Sequence, residues 1–349
     1  MSIMPSQRVD IVDPLQSTEL CDWLEDAKGS TIFHSTSWAR VLAESYGYKP
    51  VCVVLSERGN CRGCLPVIEV DSAITGRRGV CVSFSDYCGA LIESPGDFKL
   101  LFDNLLEYGR IRRWRHIEFR GESCLGDAEP SKVYAQHVVE LSDDEAVMLS
   151  RLRNSTARNI QKAVKEGVTI DIGRGLEALL DFYHLHCLTR RRQGLPPQPR
   201  SYFEKLHEHV IAKGLGFTAL ARQGNITVAG MVCLHFGRNA IYKYGASDTD
   251  FQHLRANNLL FWETMKKCGR EGFDYFSLGR TDLDNEGLLN FKNGWGGTMT
   301  SLNYYRYDLA RSRFVCDRER NLKACREVLK RLPVKVLRML GEFAYRHVG

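Results

Sequence analysis

An internal repeat limits the fold of this chain more than any other feature. Each half reads as a helix, an apolar strand, a Gly-Asn turn, a second strand, a Gly-Arg pair, a third strand, a helix and a last strand that ends at adjacent Gly and Arg residues. The matching glycines are Gly59 and Gly224, Gly76 and Gly237, and Gly121 and Gly279, which are 165, 161 and 158 residues apart. This spacing predicts one structural unit that occurs twice.

The repeated unit is predicted to be an antiparallel sheet with helices packed on it. The strands are expected at 51–55, 63–70, 80–83 and 116–119, and again at 217–221, 228–236, 240–244 and 275–278. Gly-Asn between two apolar runs favours a hairpin, because both residues tolerate a positive φ. The fold class is therefore α+β. We expect domains at 1–141 and 142–312, followed by a helical tail at 313–349.

Length and composition agree with two domains in the cytoplasm. A chain of 349 residues exceeds what one core usually supports, and its 44% hydrophobic and 26% charged residues are typical of globular proteins. Apolar runs such as 51–55 and 229–234 are too short to cross a bilayer. The first residues, MSIMPSQRVDIVDP, do not resemble a signal peptide.

The twelve cysteines are scattered, and many lie inside apolar runs, so we expect buried, reduced thiols. The one Cys-x-x-Cys pair, Cys61 and Cys64, has no second pair at zinc spacing and does not open a helix. His184 and His186 point to different faces of a predicted helix. No metal site and no cofactor are predicted.

All of the excess positive charge lies in the tail. Residues 313–349 contain ten Lys+Arg and four Asp+Glu, whereas the preceding 312 residues contain 38 of each. Apolar residues recur at helical spacing on either side of a kink at Pro333, namely Leu322, Cys325, Leu329, Leu332, Leu337, Leu340 and Ala344. Two interpretations follow: a docked helix with a solvated basic face, or an amphipathic helix that contacts anionic lipid or RNA.

Several segments resemble the FemAB-like family of aminoacyltransferases. In the first half they are the stretch IFHSTSWARVLAESYGYKP, the strand start at 63–66 and the loop SFSDYCG at 83–89. In the second half they are LRNSTARNIQKAVKEG, YKYGASD at 242–248, DYFSLGR at 274–280 and EGLLNFKNGWG at 286–296. The resemblance covers nearly all of residues 30–307. It is strongest to the FemAB-like proteins associated with exopolysaccharide and PEP-CTERM systems, and no insertion is long enough for the helical arm of some Fem proteins.

This resemblance implies two tandem domains of the GNAT acyltransferase fold, the first binding the acceptor and the second carrying the chemistry. It also implies transfer of an amino acid from aminoacyl-tRNA to an amine of a peptidoglycan precursor or a related envelope precursor. A donor bound as acyl-CoA would need a Gly-rich turn that opens a helix and holds the pyrophosphate. The corresponding stretch, 248–258, contains no glycine. Aminoacyl-tRNA is therefore the expected donor, although a divergent CoA loop stays open.

Lys292 is the leading candidate for catalysis. Aminolysis of an ester needs a positive partner for the tetrahedral oxyanion, and the resemblance assigns that role to the lysine of a Phe-Lys motif, which is Lys292 here. Phe291 and Trp295 are expected to hold its side chain in place. The competing interpretation is a surface lysine ahead of a glycine turn.

The other candidates are weaker, and each has a structural alternative. Asp86 is a candidate proton acceptor, or a plain turn residue. Substrate contacts are expected at the ends of strands and on the opening helix of the second half, from Trp38, Tyr87, Arg153, Arg158, Tyr242, Tyr244, Arg280 and Trp295. Arg153, Arg158 and Lys162 are predicted to share one helix face and to meet phosphate.

Three functions fit the sequence. The first is tRNA-dependent aminoacyl transfer, and the second is CoA-dependent N-acylation in exopolysaccharide synthesis. The third is a non-catalytic Fem-like module that keeps only the acceptor cleft. We also expect peripheral contact with the inner face of the membrane through residues 313–349, if the tail is amphipathic.

Overall fold

The computed structural model describes residues 7–126, 128–316 and 323–348. Two compact units divide the chain. Unit 1 comprises the described residues of Met1–Val133, Leu302–Glu319 and Ala344–Gly349, and unit 2 comprises those of Tyr134–Ser301 and Arg320–Phe343. Leu322, which was predicted to belong to the apolar face of the tail, lies outside the described residues.

Unit 1 is a mainly antiparallel sheet with helices. Its strands run in the order β1-β2-β3-β4-β6, and the second part of β13 then pairs with β6. All neighbours are antiparallel except β4 and β6, while the short β5 pairs with β3. The elements are β1 Gln7–Val12, α1 Thr18–Asp26, α2 Thr36–Tyr46, β2 Lys49–Glu57, β3 Asn60–Val70, β4 Arg78–Val80, β5 Leu91–Ile92, α3 Asp97–Ile111 and β6 His116–Arg120.

Unit 2 repeats this plan. Its strands run in the order β7-β12-β11-β10-β9-β8, antiparallel except for β11 and β12. The elements are β7 Lys132–Glu140, α4 Glu145–Ser150, α5 Asn154–Lys165, β8 Val168–Gly173, α6 Leu176–Arg192, α7 Arg200–Leu206, β9 Gly216–Gln223, β10 Ile226–Phe236, β11 Asn239–Ser247, α8 Ala256–Arg270, β12 Tyr275–Asp282, α9 Glu286–Asn293, β13 Thr298–Asp308, β14 Arg313–Phe314, α10 Lys323–Arg331 and α11 Val334–Val348. Lys132 and Val133 of β7, the second part of β13, all of β14 and the end of α11 from Ala344 onward lie in unit 1.

The predicted hairpins are present, with one shift. The turn between β9 and β10 is Gly224–Asn225, and Gly224 has a φ of +56°. The turn between β2 and β3 is Arg58–Gly59, with φ of +53° and +83°, while Asn60 already belongs to β3 and pairs with Glu57. Two central residues with positive φ suit the right-handed twist of a hairpin. The first turn therefore lies one residue earlier than the Gly-Asn pair suggested.

Helices cover both faces of the unit 2 sheet. On β9, Phe217 and Ala219 belong to the same apolar core as Leu260 of α8. The alternate residue Leu220 lies on the other face, where it approaches Gly230 together with Phe182 of α6. Successive strand residues point to opposite faces, so an apolar strand of this kind needs a cover on each side.

The last strand of each half completes the other half. β7 follows the first half but pairs with β12 through Tyr134–Glu140, whereas β13 follows the second half and pairs with β6 through Tyr304–Asp308. Residues 1–141 and 142–312 are therefore not the compact units found here, because each unit takes its closing strand from beyond that boundary.

The tail forms two docked helices, separated at Pro333 as predicted. In unit 2, Leu337 is fully buried and the guanidinium of Arg338 lies 5.5 Å from the ring centre of Tyr183. In unit 1, the Tyr345 carbonyl oxygen accepts a hydrogen bond of 2.6 Å from the Tyr48 hydroxyl. No helix of the described residues is long and apolar enough to cross a membrane.

Candidate functional site

In unit 2, the predicted site residues of the sheet lie where the parallel strands β11 and β12 separate. These parallel neighbours pair only from Asn239 to Ile241 and from Tyr275 to Ser277. Beyond that point β11 continues along β10 to Ser247, and β12 continues along β7 to Asp282. We call residues 242–247 of β11 and 278–282 of β12 the separated ends. Predicted site residues Tyr242, Tyr244 and Arg280 all lie on them.

Two tyrosines shape the β11 side. The Tyr242 hydroxyl crosses Gly245, where an added Cβ would lie 1.6 Å from the hydroxyl oxygen, so a larger residue at 245 would displace the Tyr242 side chain. The Tyr242 ring lies 4.6 Å from that of Phe261. The Tyr244 hydroxyl is 2.7 Å from the hydroxyl of Tyr202. Both side chains are half-buried, so each presents part of its surface to solvent.

On the β12 side the backbone forms a bulge. The register with β7 shifts between Ser277 and Arg280, and Gly279 within this interval has a φ of +69°. A glycine with positive φ is typical of such bulges, which often lie beside active sites. The carbonyl groups of Gly279 and Arg280 lie at this bulge.

Lys292 binds these two carbonyl groups. Its Nζ donates to the Gly279 carbonyl oxygen at 2.8 Å and to the Arg280 carbonyl oxygen at 3.2 Å. The side chain is only 1% exposed, so the predicted alternative of a surface lysine is wrong. A buried ammonium must be hydrogen-bonded, because desolvation of an unpaired charge is costly. The lysine therefore fixes the bulge and places a positive charge beside the separated ends.

Helix α9 carries this lysine next to an aromatic group. The Asn285 side chain caps α9 by accepting from the Leu288 amide, and Lys292 follows in the last turn. The flanking residues Phe291 and Trp295 are in edge contact at 5.8 Å, and both pack on Phe261. Trp295 is fully buried, so its surface is not available to a substrate in this conformation. That Phe291 and Trp295 hold the lysine side chain in place stays a prediction.

His137 is a site residue that the sequence did not reveal. It lies on β7 opposite the bulge, it is fully buried, and its Nε2 is 2.8 Å from Oδ1 of Asn293. Burial lowers the pKa of His137, the hydrogen bond to Asn293 opposes this effect, and the nearby Lys292 ammonium lowers the pKa further. The histidine is therefore kept neutral. A single His in an alternating strand gives no sequence signal for such a role.

Buried polar atoms without a protein partner lie on the same elements. They are Nδ1 of His137, Oγ1 of Thr281 and Nε1 of Trp295. Thr281 pairs with Ala135 on β7, so its side chain points to the same face of the sheet as that of His137. Buried polar groups normally have a partner, and water or a bound ligand supplies it when the protein does not.

The arginines of α5 do not form one face. Arg153 is the N-cap residue of α5, whereas Arg158 and Lys162 are exposed one turn apart further along it. The Arg153 amide donates to the Gly294 carbonyl oxygen at 3.1 Å, which brings the start of α5 to the end of α9. The predicted site residue Arg280 is on β12 and not on α5. Its guanidinium lies 4.7 Å from the ring centre of Tyr134 on β7.

In unit 1 the predicted acceptor residues surround a strained loop. The strand expected at 80–83 ends at Val80, because Val82 and Phe84 adopt φ of +51° and +58°. A positive φ in a β-branched residue is costly and often marks a functional loop. The Asp86 carbonyl oxygen accepts a hydrogen bond of 2.6 Å from the Tyr304 hydroxyl.

The two predicted aromatic substrate contacts of unit 1, Tyr87 and Trp38, differ in their exposure to solvent. Tyr87 is half-buried, lies edge-on to Phe33 at 6.0 Å and packs on Gly121. Trp38 is fully buried in edge contact with Phe33, so it is a core residue rather than a substrate contact in this conformation. Thus Asp86 and Tyr87 are adjacent on the same loop of unit 1. The Phe33 ring packs between those of Tyr87 and Trp38.

A charged cluster that the sequence did not reveal lies on β6 and β13 of unit 1. Glu118 contacts Arg306 at 3.0 Å, His116 at 3.3 Å and Arg120 at 3.7 Å. Burial alone would raise the pKa of Glu118, but its hydrogen bond with His116 and the charges of Arg120 and Arg306 bring it to about 2. Glu118 therefore stays ionised and balances part of the positive charge.

The two thiols of the Cys-x-x-Cys pair have raised pKa values. Cys61 and Cys64 are free thiols on β3. Burial raises the pKa of Cys61 to about 12, and a hydrogen bond with Cys52 together with burial raises that of Cys64. Protonated thiols are poor nucleophiles and poor metal ligands.

The loop expected to replace a CoA-binding turn is built without glycine. It contains a short 3-10 helix, Gln252–Leu254, and α8 begins at Ala256 after Arg255, whose φ is +59°. The Arg255 carbonyl oxygen accepts a bond of 2.9 Å from the Asn258 amide.

Comparison with known proteins agrees with this geometry. Residues 150–293, which include Lys292 and both separated ends, match the family model of the GNAT acetyltransferase domain. No curated protein matches the chain in sequence.

Solved structures with the same fold extend the likeness to most of the chain. The crystal structure of FemX is 14% identical with a TM-score of 0.65, and the match covers 85% of this chain and 96% of FemX. A tandem GNAT protein from the clavulanic acid biosynthesis pathway is 10% identical, with a TM-score of 0.56 and coverage of 87% and 99%. The C-terminal domain of a putative lysylphosphatidylglycerol synthetase from Agrobacterium fabrum is 12% identical, with a TM-score of 0.52 and coverage of 83% and 90%.

Residues 150–293 therefore match the GNAT acetyltransferase domain, and the described chain has the same fold as FemX and the tandem GNAT protein. The predicted fold class is confirmed. The predicted resemblance to FemAB-like proteins of the GNAT superfamily is confirmed at the level of the fold, and an acyltransferase role is supported. The association with exopolysaccharide systems stays a prediction.

Proposed function

We propose that the chain is a Fem-type aminoacyltransferase, which transfers an amino acid from aminoacyl-tRNA to an amine of a cell-envelope precursor. The observation that carries the proposal is the buried ammonium of Lys292 beside the separated ends of β11 and β12. The fold of FemX and the GNAT match across this region support an acyl transfer there.

The proposed reaction is a direct aminolysis. The acceptor nitrogen attacks the ester carbonyl carbon, the C–O bond to the tRNA ribose breaks, and an amide forms. The amine loses a proton and the ribose oxygen gains one, so no external reagent is consumed. Lys292 is buried and its Nζ binds two backbone carbonyl groups, so we propose that its charge, rather than a hydrogen bond made in this conformation, stabilises the oxyanion that develops on the carbonyl oxygen. A charge in low-dielectric surroundings acts more strongly than one in water.

The remaining predicted residues are assigned to binding. We propose that Arg153 and Arg158 contact phosphate groups, which guanidinium binds in a bidentate manner. Tyr242, Tyr244 and Arg280 border the donor ester. Within unit 1, Asp86 and Tyr87 are assigned to the acceptor, with the Asp86 carboxylate as the candidate group for an amine or its proton. The protein would work in the cytoplasm, at the inner face of the membrane, where charged tRNA and envelope precursors meet.

A second candidate is CoA-dependent N-acylation, which the match to an acetyltransferase family favours. The deciding experiment offers purified protein radiolabelled aminoacyl-tRNA and acetyl-CoA in separate reactions. Each reaction receives the same panel of peptidoglycan-precursor peptides and amino sugars. Label moving from tRNA to an amine supports the proposal, and label moving only from acetyl-CoA establishes the alternative. Transfer from neither donor, with acceptor binding by calorimetry, would show a non-catalytic module.

A further inference from the structure

One side of the tail is apolar and exposed to solvent. Four side chains of α11 form this stripe, with exposures of 39, 70, 40 and 61% for Val336, Met339, Leu340 and Phe343 in that order. Residues three and four apart lie on the same face of a helix, so the four side chains are neighbours. The stripe is not the face predicted from the sequence, which placed Leu340 together with Leu337.

The other side of α11 is fixed, so the stripe cannot turn inward. In unit 2, Leu337 is fully buried, and an added Cβ at Gly341 would lie 2.0 Å from the Pro197 carbonyl oxygen. In unit 1, the Tyr345 ring packs against Phe84 at 5.6 Å. Both contacts lie on the face opposite the stripe.

Positive charge borders the stripe. Lys335 and Arg346 are exposed beside it, and the single acidic residue of α11 is Glu342. On α10 the exposed Arg331 adds a further cation. Residues 323–348 contain seven Lys+Arg and two Asp+Glu. Lys335 and Arg346 lie along one edge of the stripe, and Glu342 lies on the same edge, seven residues after Lys335 and four before Arg346. An apolar stripe with a net positive charge along its edge is typical of helices that lie in the interface of an anionic bilayer.

We propose that the α11 stripe lies on an anionic lipid surface, with Met339 and Phe343 inserted at the boundary between headgroups and acyl chains and with Lys335 and Arg346 on the lipid phosphates. A second copy of this chain is a poorer occupant. A two-fold contact through the stripe would place the two edges that carry Lys335 and Arg346 close together, with only Glu342 to offset their charge. The proposal does not rest on the transferase activity, since vesicle binding is measured without donor or acceptor.

The test is co-sedimentation of the full chain with vesicles of phosphatidylglycerol and phosphatidylcholine at low salt, against phosphatidylcholine alone. The double variant Met339→Ser/Phe343→Ser should bind the anionic vesicles about tenfold more weakly or worse. The matched control is Val164→Ser/Ile226→Ser, which removes two other apolar side chains that are 59 and 54% exposed, and it should bind like wild type.

A second variant tests the charges. Lys335→Glu/Arg346→Glu should lose the preference for anionic vesicles, because each basic residue near such a surface contributes about 1 kcal/mol, which is roughly fivefold in binding. Circular dichroism and urea unfolding check that every variant folds. Equal vesicle binding by wild type and the Met339/Phe343 variant overturns the proposal, as does wild type that ignores anionic vesicles. A dimer in light scattering that the same variant dissociates would identify a second copy as the occupant instead.

Discussion

Lys292 binds the bulge, and we propose that its charge also acts on the oxyanion; mutation should separate the two effects. Lys292→Met keeps the apolar stem but leaves the carbonyl oxygens of Gly279 and Arg280 without this donor. Loss of donors to buried acceptors costs about 1–3 kcal/mol, so urea unfolding should show a measurable loss of stability. If the charge also meets the oxyanion, turnover should fall by ~10²–10³. Initial rates at a temperature where the variant is fully folded measure the second effect.

Lys292→Arg serves as the control for charge. The planar guanidinium cannot occupy the place of a compact ammonium between two carbonyl groups, so only part of the turnover should return. Wild-type turnover by folded Lys292→Met protein would show that the lysine only supports the bulge.

Buried histidines should make stability depend on pH. Burial and the charge of Arg190 lower the pKa of His186 to about 3, although its hydrogen bond with Gln198 opposes them. The folded protein therefore keeps His186 neutral, while the unfolded chain binds a proton below its usual pKa of 6.5. Stability is thus lost as the pH falls from about 7 towards 3.

The His186→Leu variant measures this contribution. The difference between the unfolding free energies at pH 7 and pH 5 should shrink by about 2 kcal/mol relative to wild type. Phe182→Leu is the matched control, because Phe182 is a buried, non-titrating neighbour on the same helix, 5.8 Å from His186 between ring centres. It should lower stability equally at both pH values. An unchanged pH dependence in His186→Leu would contradict the assignment.

At the scale of elements, the end of α11 is part of the unit 1 core. The Tyr345 ring contacts those of Tyr46 and Phe84, and Arg78 donates to the carbonyl oxygens of His347 and Val348. A guanidinium at a helix C-terminus satisfies carbonyl groups and favours the helix dipole.

Tyr345→Ala should therefore destabilise the protein by about 3 kcal/mol, as expected for the loss of a buried aromatic side chain. The neighbouring Arg346→Ala removes an exposed side chain and should change stability by less than about 0.5 kcal/mol. Urea unfolding of both variants checks the prediction. Equal, small effects would show that the last turn does not contribute to the core.

At the scale of the whole molecule, the exchange of closing strands predicts how the chain can be divided. The fragment 1–141 lacks β13, whose Tyr305 and Tyr307 belong to the apolar core around Phe119. We expect it to be unfolded alone, with a random-coil circular dichroism spectrum. Co-expression with fragment 142–349 should restore a folded, co-purifying pair. A cooperative thermal transition of fragment 1–141 alone would contradict the prediction.

The sequence determined what depends on local pattern. Periodicity and turn glycines predicted the repeated elements to within a few residues, because hairpins and amphipathic helices are specified by neighbouring residues. The break between the two tail helices at Pro333 was predicted in the same way. The family resemblance added Lys292.

Only the tertiary structure decided the features that join residues far apart in the chain. The exchange of β7 and β13 depends on pairing across more than 130 residues, for which a sequence carries no local signal. The burial of Lys292 and its neighbour His137 depends on the bulge at Gly279, and the outward stripe of α11 depends on Pro197 and Tyr345. The apolar face of a helix can be buried in the protein or can bind a partner. The sequence pattern is the same in both cases, and only the packing shows which apolar residues are buried.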